Sequence, residues 1–153
     1  MDKFEEELNH EYTLAQCKHQ ILLYQCRQTR MNTPLQRYFN STPARNAFAR
    51  VMFVAAHDNT VYTKTGISRI LHITRQATSL MIDDCIAEGW VEVDGKSWKA
   101  SQILIDAQYA YAEFHKETLI GLPVSYYLQT LETYQKAKAL KESSQFTLDG
   151  VAR

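Results

Sequence analysis

Proline and glycine are scarce in this chain, three and five among 153 residues. An all-β chain needs many turns, and these two residues are its main turn formers, so that class is excluded and a mostly helical fold is expected. Three cysteines, an odd number, exclude a disulfide framework. No apolar run reaches the ~18 residues that span a bilayer, so no membrane partner is expected. The acidic start, Met1-Asp2-Lys3-Phe4-Glu5, lacks a signal peptide's basic region and apolar stretch. The chain is therefore expected to stay in the cytoplasm. No nucleophile–base pair and no phosphate-binding glycine loop appears, so neither an enzyme nor a cofactor is expected. What remains is ordinary for one folded domain: 45% hydrophobic and 22% charged residues.

Basic and acidic residues balance at 17 each, but not locally. Residues 1–26 hold two basic and five acidic groups. Residues 27–82 hold eight basic groups (Arg27, Arg30, Arg37, Arg45, Arg50, Lys64, Arg69 and Arg75) against Asp58 alone, net +7. Residues 83–153 return to a net −4, from seven basic and eleven acidic groups. A basic block between acidic ends points to a face that binds a polyanion. Its alternative is ordinary scatter over several helix surfaces.

Along the chain, residues 2–30 read as a long helix striped by Phe4, Leu8, Leu14, Ile21, Leu22 and Tyr24. Residues 31–42 read as a connector with Pro34 and an Asn40-Ser41 turn signal. Thr42 then caps a helix with Pro43 at its first position, running to His57 with Ala47, Phe48, Val51, Met52, Val54 and Ala55 on its inner side. Thr63 caps a short helix to Leu71, stapled by Tyr62 and Ile67, with Ile70 and Leu71 also on the inner face. After a turn at His72-Ile73, Thr74 caps a second helix, Arg75 to Glu88, whose inner positions are Thr78, Met81, Ile82 and Cys85. Gly89 stops it. Two capped helices joined by a few residues form the helix-turn-helix pattern. Trp90, Val91 and Val93 then read as a strand, Asp94-Gly95 as a two-residue hairpin turn, and Lys96–Ala100 as the return strand. Ser101 caps a third long helix to about Ile120, Gly121-Leu122-Pro123 break the chain, and a last helix covers about Ser125 to Lys141. A polar, loosely held tail follows.

The run Ile67-Ser68-Arg69-Ile70-Leu71-His72-Ile73-Thr74-Arg75-Gln76-Ala77-Thr78-Ser79-Leu80-Met81-Ile82-Asp83 resembles the two-helix core of the MarR family of bacterial transcription regulators. Glu88-Gly89-Trp90-Val91 resembles that family's junction into its wing. The likeness extends over residues 1–141. It implies a mostly α (α+β) fold, a winged helix-turn-helix with a helical dimerisation region built from the N- and C-terminal helices. The expected organisation is a dimerisation helix and connector over 1–42, the winged element over 43–101, dimerisation helices over 102–141 and the tail over 142–153. The resemblance further implies a homodimer that binds pseudo-palindromic duplex DNA. This chain departs from the family in a short wing tip without an aspartate–arginine motif, in His72 at a turn position often filled by glycine, and in Leu80 where a basic residue often stands.

A recognition helix presents polar side chains at the turn that enters the major groove. Thr74, Arg75, Gln76 and Ser79 supply them, and Leu80 is placed to touch a thymine methyl. Lys64 and Arg69 suit phosphate contacts, which position without specifying sequence. Lys96 and Lys99 on the wing suit the adjacent backbone. The alternative function is a winged-helix module that assembles proteins without binding DNA. Cys85 falls on a buried helix face and reads as core. Cys17 and Cys26 lie on opposite faces of the first helix. Cys17 is the candidate for a redox role, because some oxidant-sensing relatives carry a reactive cysteine in this helix. No histidine–cysteine spacing suits a metal. Tyr109, Tyr111, Phe114, Tyr126, Tyr127 and Tyr134 read first as a dimer core and its rim, with a pocket for a small aromatic effector as the second reading.

Overall fold

In the computed structural model, residues 2–119 and 124–151 are described. The elements run α1 (Lys3–Thr29), α2 (Pro34–Phe39), α3 (Pro43–His57), α4 (Lys64–Leu71), α5 (Arg75–Ala87), β1 (Val91–Asp94), β2 (Ser97–Ala100), α6 (Gln102–Leu119) and α7 (Val124–Val151). The fold is mostly helical with a single two-stranded antiparallel hairpin among the described residues. It is a winged helix-turn-helix. The chain divides into a unit of residues 26–116 and a second unit of residues 1–25 and 117–153.

Local capping chemistry accounts for most helix starts in the 26–116 unit. The hydroxyls of Thr42, Thr63 and Thr74 accept from the amides of Arg45, Gly66 and Ala77 at 3.2, 3.0 and 3.0 Å, each satisfying an amide that the helix leaves open. Ser101 caps α6 through the Leu104 amide at 3.4 Å. The stop of α5 at Gly89 is a paired closure. Trp90 N–H donates to the Cys85 carbonyl at 2.9 Å and Gly89 N–H to that of Ile86 at 3.1 Å, with Gly89 at φ +76°.

Three local features differ from the sequence reading. The expected connector contains α2, closed by a capping box in which Thr33 and Gln36 satisfy each other's amides, with Pro34 at its first position. The hairpin turn is Gly95-Lys96 and not Asp94-Gly95, because Asp94 still pairs with Ser97. Gly95 at φ +64° then occupies the first turn position, where a hairpin turn needs glycine. Finally, α7 is helical to Val151, past the Lys141 end expected for it. No glycine or proline interrupts residues 124–149, so nothing local stops the helix there.

The core of the 26–116 unit gathers Phe39, Phe48, Met52, Ile67, Met81, Ile82, Cys85, Trp90, Val91 and Leu104 from α2 to α6 and the first strand. Val54 and Ile70, expected inside, are exposed. The buried stripes run through Phe48, Met52 and Ala55 on α3 and through Ile67 on α4, and Val54 and Ile70 point off them. Thr78 is fully buried, and its hydroxyl donates to the Thr74 carbonyl at 3.0 Å. Among the described residues, no buried side-chain polar atom lacks a partner. The Thr78 bond lies within α5 itself, and the buried stripe of Thr78, Met81, Ile82 and Cys85 sets which side of the helix faces the core.

In the second unit, Asp2 caps α1 through the Glu5 amide at 2.8 Å. Lys141 Nζ of α7 meets Glu5 at 2.7 Å, which holds the Glu5 carboxyl below and the Lys141 ammonium above their ordinary pKa values. The apolar side chains Phe4, Leu14, Ile21 and Tyr24 on α1, and Leu128, Tyr134 and Leu140 on α7, are exposed in the single chain. The side chains of Tyr126 and Tyr127 lie outside the described residues, as do Gly121, Leu122 and Pro123. No helix among the described residues is long and apolar enough to cross a membrane.

Candidate nucleic-acid interface

The turn between α4 and α5 is held on both sides. Ile73 N–H donates to the Ser68 carbonyl at 3.2 Å, and the buried Ser68 hydroxyl donates to the Ile73 carbonyl at 3.0 Å. Ile73 packs against the core. His72 absorbs the reversal in the left-handed region, at φ +53° and ψ +42°, a conformation that costs a non-glycine residue about 1–2 kcal/mol. The start of α5 is therefore fixed relative to α4 by backbone bonds, a buried hydroxyl and an apolar anchor.

The inner side of α5 is Thr78, Met81, Ile82 and Cys85. Its outer side carries Thr74, Arg75, Gln76 and Leu80, all exposed, with Ser79 half-buried between them. The Ser79 hydroxyl donates to the Arg75 carbonyl at 3.0 Å, which leaves its oxygen free to accept. Leu80 is 59% exposed, a large apolar side chain left on a polar face. Asp83 is also exposed. It lies seven residues from Gln76 and four from Ser79, on the same helix face. The charge count along the sequence breaks just before it, and a helical-wheel reading would have found it.

Of the remaining predicted residues, Lys64 and Arg69 both lie on α4. Arg69 is exposed, and Lys64 Nζ lies 5.5 Å from the centre of the Trp98 ring, tying the start of α4 to the wing. Lys96 is exposed in the hairpin turn, and Lys99 faces Glu92 at 4.0 Å. Cys17 is exposed on α1. Cys85 is fully buried, and burial pushes its thiol up to about 12.

The +7 block does not form one surface. Arg30 lies 5.1 Å from the Phe114 ring centre and 5.7 Å from that of Tyr111. Arg50 lies 4.9 Å from the Tyr111 ring centre and donates to the Asn46 carbonyl at 3.1 Å. Arg37 closes over the Met31 and Asn32 carbonyls at 3.3 Å each. Arg45 stacks 4.3 Å from the Tyr38 ring centre and donates to Ser41 at 2.9 Å. These four guanidiniums serve packing within the unit. Lys64, Arg69 and Arg75 remain on the helix-turn-helix surface. Adjacency in sequence placed eight cations together, and side-chain direction separates these seven into two groups.

Two features behind the face escaped sequence reasoning. Tyr38 on α2 donates to Asp84 on α5 at 3.0 Å, and burial together with this bond raises the phenol above its ordinary value. A cavity of about 410 Å³ lies within the same unit, lined by Arg30, Phe39, Arg50, Trp90, Leu104 and Tyr111 among others. Among the described residues, Tyr111 is the one member of the predicted aromatic cluster that lines it. Tyr109 instead packs edge-on against Phe53 at 5.3 Å.

No family model matches the chain, and no curated protein matches it. Among solved structures, the chain is similar to MepR, a transcription regulator of the Staphylococcus aureus multidrug efflux pump MepA. The two are 17% identical with a TM-score of 0.55, over 90% of this chain and 98% of MepR. The transcriptional regulator BldR from Sulfolobus solfataricus follows at 16% identity and TM-score 0.48, over 90% of this chain and 99% of its own. The reduced form of MarR from E. coli matches at 19% identity and TM-score 0.44, over 76% of this chain and 89% of its own. The likeness to MepR establishes a shared fold.

Proposed function

We propose that this protein is a transcription regulator that binds duplex DNA as a homodimer, with α5 in the major groove. The observation that carries the reading is the outer face of α5. Arg75, Gln76 and Ser79 stand on a helix start whose position is fixed by the Ser68–Ile73 bonds and the Thr74 cap, and a groove reader needs that rigidity. Arginine pairs bidentately with guanine and glutamine with adenine. Lys64 and Arg69 contact phosphates, and Lys96 and Lys99 assist from the wing. MepR, whose fold this chain shares, is a transcription regulator, which supports this reading.

The dimer rests on a separate observation. The single chain exposes Phe4, Leu14, Ile21 and Tyr24 on α1 and Leu128 and Leu140 on α7, apolar side chains that a second copy can cover. A two-fold interface buries such a surface and places two α5 helices about one duplex turn, roughly 34 Å, apart. Sedimentation at micromolar concentration should show a dimer, and a monomer there contradicts this part of the reading. The 410 Å³ cavity has the size of a small-molecule site. Its aromatic and guanidinium lining suits a small aromatic effector.

Selection of bound sequences from random duplexes tests the function. The expected outcome is an inverted repeat whose half-sites lie about ten base pairs apart, centre to centre. An unenriched pool refutes DNA reading and favours the alternative, a module that binds another protein through Leu80 and its surroundings.

A further inference from the structure

Asp83 stands in the α5 face that is offered to DNA, an anion on a surface that must approach a polyanion. It is exposed, and among the described residues it makes neither an ion pair nor a side-chain hydrogen bond. Its neighbour Asp84, also exposed, lies about 100° further round the helix and accepts from Tyr38. Helix geometry places Asp83 about 12 Å along the axis from Arg75, two turns further in and still in line with Gln76 and Ser79. A carboxylate there has no cation of its own to neutralise it. Against phosphate it repels. Against base edges it has complements, the exocyclic amino groups. An adenine amino group sits beside the N7 acceptor, which repels a second acceptor, whereas the cytosine N4 amino group is a donor without that neighbour.

We infer that Asp83 is a specificity-determining residue that accepts a hydrogen bond from a cytosine N4 amino group in each half-site. The inference rests on the DNA-binding reading above. It gives Asp83 two effects at once. It rewards one base at one position, and it lowers affinity for every duplex that cannot offer that amino group. Discrimination therefore comes partly from repulsion of the wrong partner.

Three full-length proteins test it in parallel: the parent, Asp83→Asn and Asp83→Ala. Each is used to select from random duplexes, then titrated against the parent's selected duplex and against the same duplex with each half-site cytosine changed in turn. Asparagine keeps the shape but both donates and accepts, so it suits the adenine N6/N7 edge. Melting followed by tryptophan fluorescence confirms that the variants fold. The expected result is one cytosine per half-site in the parent's pool, replaced by adenine for Asp83→Asn and by no preference for Asp83→Ala. Changing that cytosine should weaken the parent roughly tenfold and Asp83→Ala less than about twofold. Scrambled duplexes should bind both variants more tightly than they bind the parent. If all three proteins enrich the same inverted repeat with the same bases, DNA reading stands and the Asp83 assignment is overturned. If the parent enriches nothing, both readings fall together.

Discussion

Removing the Thr74 hydroxyl tests the link between local chemistry and the recognition face. In Thr74→Ala, the Ala77 amide loses its 3.0 Å acceptor. The Thr74 side chain is exposed, so little apolar packing is lost with it, and the change isolates the cap. Loss of an N-cap costs about 1 kcal/mol, within a range of roughly 0.5–2. For a unit the size of residues 26–116, that lowers the melting temperature by about 4–8 °C. The readout is favourable, because the chain's two tryptophans, Trp90 and Trp98, both lie in the 26–116 unit, so their fluorescence follows that unit alone. Thr74→Ser should restore the parent melt. Thr63→Ala removes an equivalent bond of 3.0 Å from α4 and should melt similarly. The two alanine variants should part on DNA. Fraying at Thr74 loosens Arg75 and Gln76 and erodes sequence preference, whereas fraying at Thr63 loosens Lys64 and lowers affinity for all duplexes. A Thr74→Ala protein that melts with the parent and discriminates as well as it does would refute the claim that this cap sets the face.

Three further outcomes follow from the exposed, buried and strained positions. A thiol reagent should modify the exposed Cys17 promptly and reach the buried Cys26 and Cys85 only on unfolding. Because the Cys85 thiol is raised from 9.0 to about 12, the unfolded chain releases that proton first. Stability is then full below about pH 9 and falls as pH rises toward 12, which urea midpoints across that range measure. Burial shifts Tyr38 in the same direction. His72→Gly relieves the φ +53° conformation but adds freedom to the unfolded chain. The net expectation is a gain of roughly 0.5 kcal/mol, read as a higher melting temperature, and a loss would show that the His72 side chain itself holds the turn.

How much of this was legible in the sequence depended on the range of the interaction. Thr42, Thr63, Thr74 and Gly89 act on amides and carbonyls within a few residues, so their roles were readable directly. The capping box of Thr33 and Gln36 was equally local, but a six-residue helix is too short to show periodicity, and Pro34 read as a breaker. The hairpin was found with its turn one residue early, because Asp94-Gly95 is a strong turn signal whichever strand register holds. The winged core was legible through its caps and inner stripe. The predicted interface residues of α5 are exposed or half-buried as a set. The distribution of the basic block was not legible, since it depends on whether each arginine meets an aromatic ring or a carbonyl distant in sequence. The cavity was hidden for the same reason, being lined by residues from 30 to 111.

The most direct test of the central claim is a salt series on selected and scrambled duplexes with three paired variants. Lys64→Ala with Arg69→Ala should weaken both duplexes alike. With about 0.9 of slope per phosphate contact, and two contacts in each of two subunits, the log-affinity versus log-salt plot should flatten by up to about 3.6. Arg75→Ala with Gln76→Ala should lose discrimination, by roughly 1–3 kcal/mol per base contact. Arg45→Ala with Arg50→Ala should leave the slope and the discrimination of the folded protein unchanged, because those guanidiniums stack on Tyr38 and Tyr111. A slope that flattens for the Arg45 and Arg50 pair and not for Lys64 and Arg69 would contradict the account, since DNA would then lie on a different face of the unit.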